Sequence, residues 1–233
     1  MDKYERKLMK RKLLIAALLL CTILCRTIRG NAQSNIIALS QNNWSLWLDT
    51  AAKWQQDKLY APPVKLSDVP VNIPTGGWQS LNNSSKNSAI ASSSLCVNDV
   101  HLPATVEEYF WGANGNKFGV SGNYLGVSWF YTKANIPAAY RGKRVVLKFE
   151  SVRFRAEVFV NKKLVAYDLV NSTPFDVDIS DAMIPGVENE IAVRITDPNG
   201  NFDWRDSQYF MWGDYRTQPT HGFGGITGKV TLA

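Results

Sequence analysis

The residues best equipped for chemistry crowd into one stretch, Asp197 to Gly225. Phe202, Trp204, Tyr209, Phe210, Trp212, Tyr215 and Phe223 are interleaved there with Asp203, Arg205, Asp206, Asp214, Arg216 and His221. An aromatic ring offers a flat apolar face that suits the C–H side of a pyranose. Carboxylates and guanidinium groups exchange hydrogen bonds with its hydroxyls. Trp204, Asp206 and Trp212 are therefore candidate contacts to a carbohydrate. Rings in such a loop serve equally well to pack over the end of a core or against a neighbouring domain, and both readings stay open at this point.

Catalytic and metal constellations are weaker. Glu107 and Glu108 are adjacent, and on an extended chain successive side chains point to opposite faces, so they would not converge. Asp203 and Asp206 have the spacing to converge, but solvated loop acids are far commoner than catalytic ones. Ser207, Asp206 and His221 lack a Gly-x-Ser-x-Gly elbow. The run Asp197 to Asp203 faintly follows a calcium loop. However, Gly200 falls at its fourth place instead of its sixth, and Gln208 stands at the twelfth, where a bidentate Glu is needed. His101 and His221 are far apart and have no cysteine partner, which argues against zinc. No catalytic residue, metal or cofactor is expected within this chain.

The elements that must position the ring-rich stretch begin after a leader. Lys3, Arg6, Lys7, Lys10, Arg11 and Lys12 precede an apolar run from Leu13 to Cys25, and small residues follow at Gly30 and Ala32. This pattern predicts a secretory signal peptide over 1–32 and an exported protein, periplasmic or released. The apolar run is short of the ~20 residues that span a bilayer, so no membrane anchoring of the mature form is expected. The leader holds eight Lys/Arg and two Asp/Glu, which is the whole of the chain's net charge of +6. Residues 33–233 carry 18 charges of each sign, so the basic footprint of a nucleic-acid binder is absent. Of three cysteines only Cys96 lies beyond the leader, and no internal disulfide can staple the fold.

Residues 33–233 read as one all-β domain. Asn43 to Trp54 predicts the start of a strand and then a short helix. Tyr60 to Trp78 contains Pro62, Pro63, Pro70 and Pro74 and should run extended over a surface, because proline removes ladder donors. A Ser/Asn-rich loop spans 82–94. From Gly126 the alternation is strong: Val127, Trp129 and Tyr131, then Val145, Leu147 and Phe149, then Ala156, Val158 and Val160. Leu164 to Tyr167, Phe175 to Ile179, Glu190 to Thr196 and Ile226 to Leu232 complete the series. Short strands every 8–12 residues, separated by turn residues, predict a sandwich or jelly roll whose core lies over 126–233.

The order of these motifs resembles the sugar-binding jelly-roll domain of family 2 glycoside hydrolases, a galactose-binding-domain-like fold. The carrying segments are Gly126–Tyr131, Arg141–Val145, Phe149–Val152, Ala156–Asn161, Thr173–Ser180, Gly186–Arg194 and Gly224–Val230, with Leu102-Pro103 upstream. Two departures concern local backbone: Lys162 follows Asn161 where the family has Asn-Gly, and Val170-Asn171-Ser172 replaces paired glycines. The resemblance implies that Asp197, at the step after the Ile191–Thr196 strand, contacts sugar without being a catalyst. It also implies an intramolecular partner, a downstream (β/α)₈ barrel carrying the acid/base and nucleophile glutamates, which retention holds about 5–5.5 Å apart. Nothing within 1–233 resembles that barrel. The alternative to such an ancillary domain is a free-standing carbohydrate-binding module.

Overall fold

The computed structural model describes residues 36–82, 95–110, 124–198, 210–212, 214–217 and 224–233, with backbone alone at 82, 210–212 and 215–217. The expected leader over 1–32 and nearly all of the Ser/Asn-rich stretch over 82–94 fall outside them. In chain order the strands are β1 (Ile37–Ala38), β2 (Trp44–Asp49), β3 (Cys96–Val100), β4 (Ala104–Thr105), β5 (Gly126–Asn135), β6 (Val146–Phe149) and β7 (Arg155–Val160). There follow β8 (Lys163–Asp168), β9 (Phe175–Asp178), β10 (Glu188–Asp197), β11 (Phe210–Trp212), β12 (Tyr215–Thr217), β13 (Gly225–Ile226) and β14 (Val230–Leu232). Two short helices interrupt them, α1 (Gln79–Asn82) and α2 (Val106–Phe110).

Two antiparallel sheets form a sandwich. One runs β1-β14-β6-β9 and the other β3-β2-β5-β10-β7-β8. Apart from β2–β3 and β7–β8, neighbours within these two sheets are not consecutive in sequence, in keeping with a jelly-roll winding. The facing sides supply the core: Trp44, Leu46, Phe130, Val158, Val160, Ile191, Val193 and Ile195 from the larger sheet meet Leu147, Phe149, Val177, Val230 and Leu232 from the smaller. Each such side chain contributes roughly 1.5–3 kcal/mol on burial. The core is thus wider than 126–233, because β2 sits between β3 and β5 and delivers Trp44, Leu46 and Leu48 to it.

The expected short helix before Trp54 does not form. After β2 the chain turns, with the Ala52 amide donating to the Asp49 carbonyl, and Trp54 folds onto the outer face of the larger sheet. There it joins Leu81, Val127, Trp129, Phe159 and Ala192. The proline-rich stretch does run extended over a surface, and that surface is this outer face. Trp78 closes the contact edge-on, with ring centroids 5.9 Å from Trp129 and 5.2 Å from Phe159. The central strands β5, β7 and β10 of the six-stranded sheet are therefore buried on both sides over most of their length.

The hairpin between β7 and β8 turns through Asn161 (φ 49°) and Lys162 (φ 69°), so a lysine holds the left-handed position that Asn-Gly would fill more cheaply. Asn161 secures the turn by donating to the Ala182 carbonyl and to Asn189 Oδ1, each at 2.8 Å, and by accepting from the Glu190 amide.

Candidate functional site

β10 is paired with β5 along its whole length, ending on Asp197 opposite Gly126. Ile191, Val193 and Ile195 face the core, and the period of two puts Asp197 on the same side, at the rim. It is only 4% exposed. Three other stretches converge on it. A methyl group at Gly224 would lie 2.7 Å from Asp197 Oδ2 and 3.0 Å from its Cβ, so only glycine allows the chain to pass this closely. Gly225 exchanges both backbone hydrogen bonds with Arg153, at 2.8 and 2.7 Å, and pairs with Thr105 on its other side. The Val106 amide donates to the Gly224 carbonyl at 2.7 Å, which ties α2 to the same corner.

α2 brings in a residue that the extended reading of Glu107 and Glu108 missed. Thr105 caps the helix, its hydroxyl accepting from the Glu108 amide at 3.1 Å. The helical turn then leaves Glu108 exposed and sends Glu107 inward, 3% exposed. The usable signal was the Thr-x-x-Glu spacing of a capping box, which announces a helix start and not a strand. Neither Glu107 carboxyl oxygen completes a hydrogen bond among the described residues. Its pKa is raised from 4.5 to about 8, first by burial and then by the charge of Asp197. The backbone amides of Glu107 and Gly224 and the Arg153 guanidinium pull the other way without balancing these. Among the described residues this corner is buried, and its two carboxyls, Glu107 and Asp197, act on each other more strongly than Arg153 acts on Glu107.

A second group of buried charges lies on the outer face of the larger sheet, beneath residues 57–78, which cross it as a strap. Arg155 donates to Asp57 Oδ2 at 2.9 Å and to Glu157 Oε1 at 2.7 Å. Arg194 donates to Glu157 Oε2 at 2.7 Å and to Thr196 Oγ1 at 3.2 Å, and Asn72 adds a 2.8 Å bond to Glu157 Oε1. Arg155 also sits over the Tyr167 ring, 5.1 Å from its centroid. Two guanidinium groups face two carboxylates here, so the charges close on one another. Asp57 and Asn72 belong to the strap, and this arrangement fastens it to the sheet.

Of the candidates singled out above, Asp197 is at the rim corner. Trp212 ends β11 and faces Tyr215 across the β11–β12 ladder; the described residues include its backbone but not its side chain. Trp204 and Asp206 lie outside the described residues.

The sequence profile of glycosyl hydrolases family 2, sugar binding domain, matches residues 66–232. The chain belongs to this family. As a family 2 chain it is 30% identical over 120 residues to a β-glucuronidase of Formosa agariphila, covering 52% of itself and 12% of that protein. It is 36% identical over 74 residues to a β-galactosidase of Thermoanaerobacter pseudethanolicus, covering 31% of itself and 10% of that protein. The crystal structure of Ruminococcus gnavus β-glucuronidase superposes with a TM-score of 0.53 at 17% identity, over 84% of this chain and 28% of that one. That last likeness concerns the fold. The family 2 chain spans about a tenth of the length of the curated relatives.

Proposed function

We propose that this chain is the exported, non-catalytic sugar-binding sandwich of a larger β-glycosidase, and that its Asp197 rim forms one wall of the carbohydrate pocket. Asp197 provides a hydroxyl contact, and Trp204, Asp206 and Trp212 extend the surface along the ring-rich segment. Acid/base and nucleophile chemistry on O-glycosidic bonds belongs to a (β/α)₈ barrel docked on that rim. The observation that carries this reading is the build of the corner. Three separate stretches, around Thr105, Arg153 and Gly224, close on one carboxylate at the end of β10. The names of the curated relatives support a glycosidase as the whole protein. The even balance of charge over 33–233 suits a ligand recognised by hydroxyls and rings.

The test replaces Asp197 with Ala in the full-length enzyme. A charged hydrogen bond to a ligand is worth about 1.5–3 kcal/mol, so KM for a β-glycoside should rise roughly 10- to 100-fold while the far-UV spectrum stays intact. Unchanged affinity and rate would end the assignment.

A further inference from the structure

Glu107 has no part in the function proposed above, yet its position beside Asp197 bears on that residue. An ionised carboxylate buried without a completed hydrogen bond is among the costliest groups a protein can hold, and such groups neutralise instead. Among the described residues, the charged groups that act on Glu107 are Asp197, from the end of β10, and Arg153, just before β7. Asp197 outweighs Arg153, so the guanidinium does not make good the repulsion. Gly224 passes so close to Asp197 that a methyl group there would meet its carboxylate, so Asp197 cannot retreat toward the backbone on that side. The neighbouring backbone is fixed by the Val106–Gly224 and Arg153–Gly225 hydrogen bonds. Two carboxyls are thus held in one corner by four stretches of chain, and among the described residues Arg153 is the cation that acts on Glu107 there.

We propose that Glu107 stays a neutral carboxylic acid, so that Asp197 is the ionised one of the two carboxyls, and acts as a positioning residue for Asp197. As an acid it keeps an O–H to donate and does not repel its neighbour. As an anion it would push Asp197 out of the place that Gly224 leaves for it. The importance of this for sugar rests on the reading of Asp197 given above; the charge assignment does not.

Carboxyl carbon NMR on the full chain tests it without any ligand. The Glu107 signal, identified by its loss in Glu107→Gln, should titrate near pH 8, where its pKa is placed. In Asp197→Asn the midpoint should drop by roughly one unit, since a like charge has gone while burial remains. The Asp197 signal should step at the same pH as Glu107 in the wild type and stay flat in Glu107→Gln. A Glu107 midpoint in the ordinary carboxylate range overturns the proposal. So does a midpoint that Asp197→Asn leaves in place, or an Asp197 step that survives in Glu107→Gln. Should Asp197→Ala leave sugar binding untouched while these titrations behave as stated, the pocket assignment fails and the charge assignment stands.

Discussion

Two buried charge clusters lie on this sandwich, and they differ in whether their charges close. On the strap side, Glu157 is fully buried and accepts from Arg155, Arg194 and Asn72, with Asp57 as the second anion. At the rim, Glu107 is almost as buried, but its nearest strong influence is another carboxylate, and its pKa rises to about 8. Burial is common to both. What separates them is the supply of positive charge and donors, which repays desolvation in the first case and not in the second. A closed network fastens the strap to the sheet. An open one leaves a titratable group near the physiological range, as burial without matching charge does.

The comparison breaks most visibly at Glu157. Glu157→Ala removes the acceptor that both arginines share and should cost about 3–5 kcal/mol in urea unfolding, with the Trp78 environment perturbed as the strap loosens. The rim answers to pH instead. Glu107 has a folded pKa of about 8 against 4.5 for the free side chain. The stability it contributes is fully present below the lower value and is lost as pH rises toward the upper one. Unfolding measured from pH 5 to 8.5 should therefore show the wild type losing about 3 kcal/mol relative to Glu107→Gln, which cannot ionise. Gly224→Ala drives a methyl group into the Asp197 carboxylate and should destabilise by about 2 kcal/mol, read as a lower melting temperature. At the small end is an exposed ion pair, Lys148 to Asp176 at 3.0 Å. Asp176→Ala should move stability by less than about 0.5 kcal/mol, which shows that it is burial, and not charge alone, that sharpens the other effects.

Much of this was legible from residue order. Alternation located β5 to β10, the proline spacing showed that Tyr60 to Trp78 would lie extended, and Asp197 was placed at the end of its strand. Less legible was the second face. Glu157 alternates with Ala156 and Val158, and a period of two shows which residues share a side and not what covers that side. Trp54 likewise gives no sign in the sequence that it folds back over β5. Glu107 was hidden by the choice of period: taken as strand it points away from its neighbour, and only the cap at Thr105 turns it inward.

By itself the sequence determined the strands from β5 to β10, the even charge of residues 33–233, and the crowding of rings and acids after β10. These follow from side-chain chemistry and local spacing. The tertiary structure alone decided that the strap buries a second sheet face, and that Glu107, Arg153, Gly224 and Asp197 meet at one rim. Residues 107 and 197 stand ninety positions apart, and no local rule brings them together. Their contact exists because β4, β13 and the Arg153 strand edge share hydrogen bonds through Gly225, and a long-range ladder of that kind is fixed only once both sheets have closed.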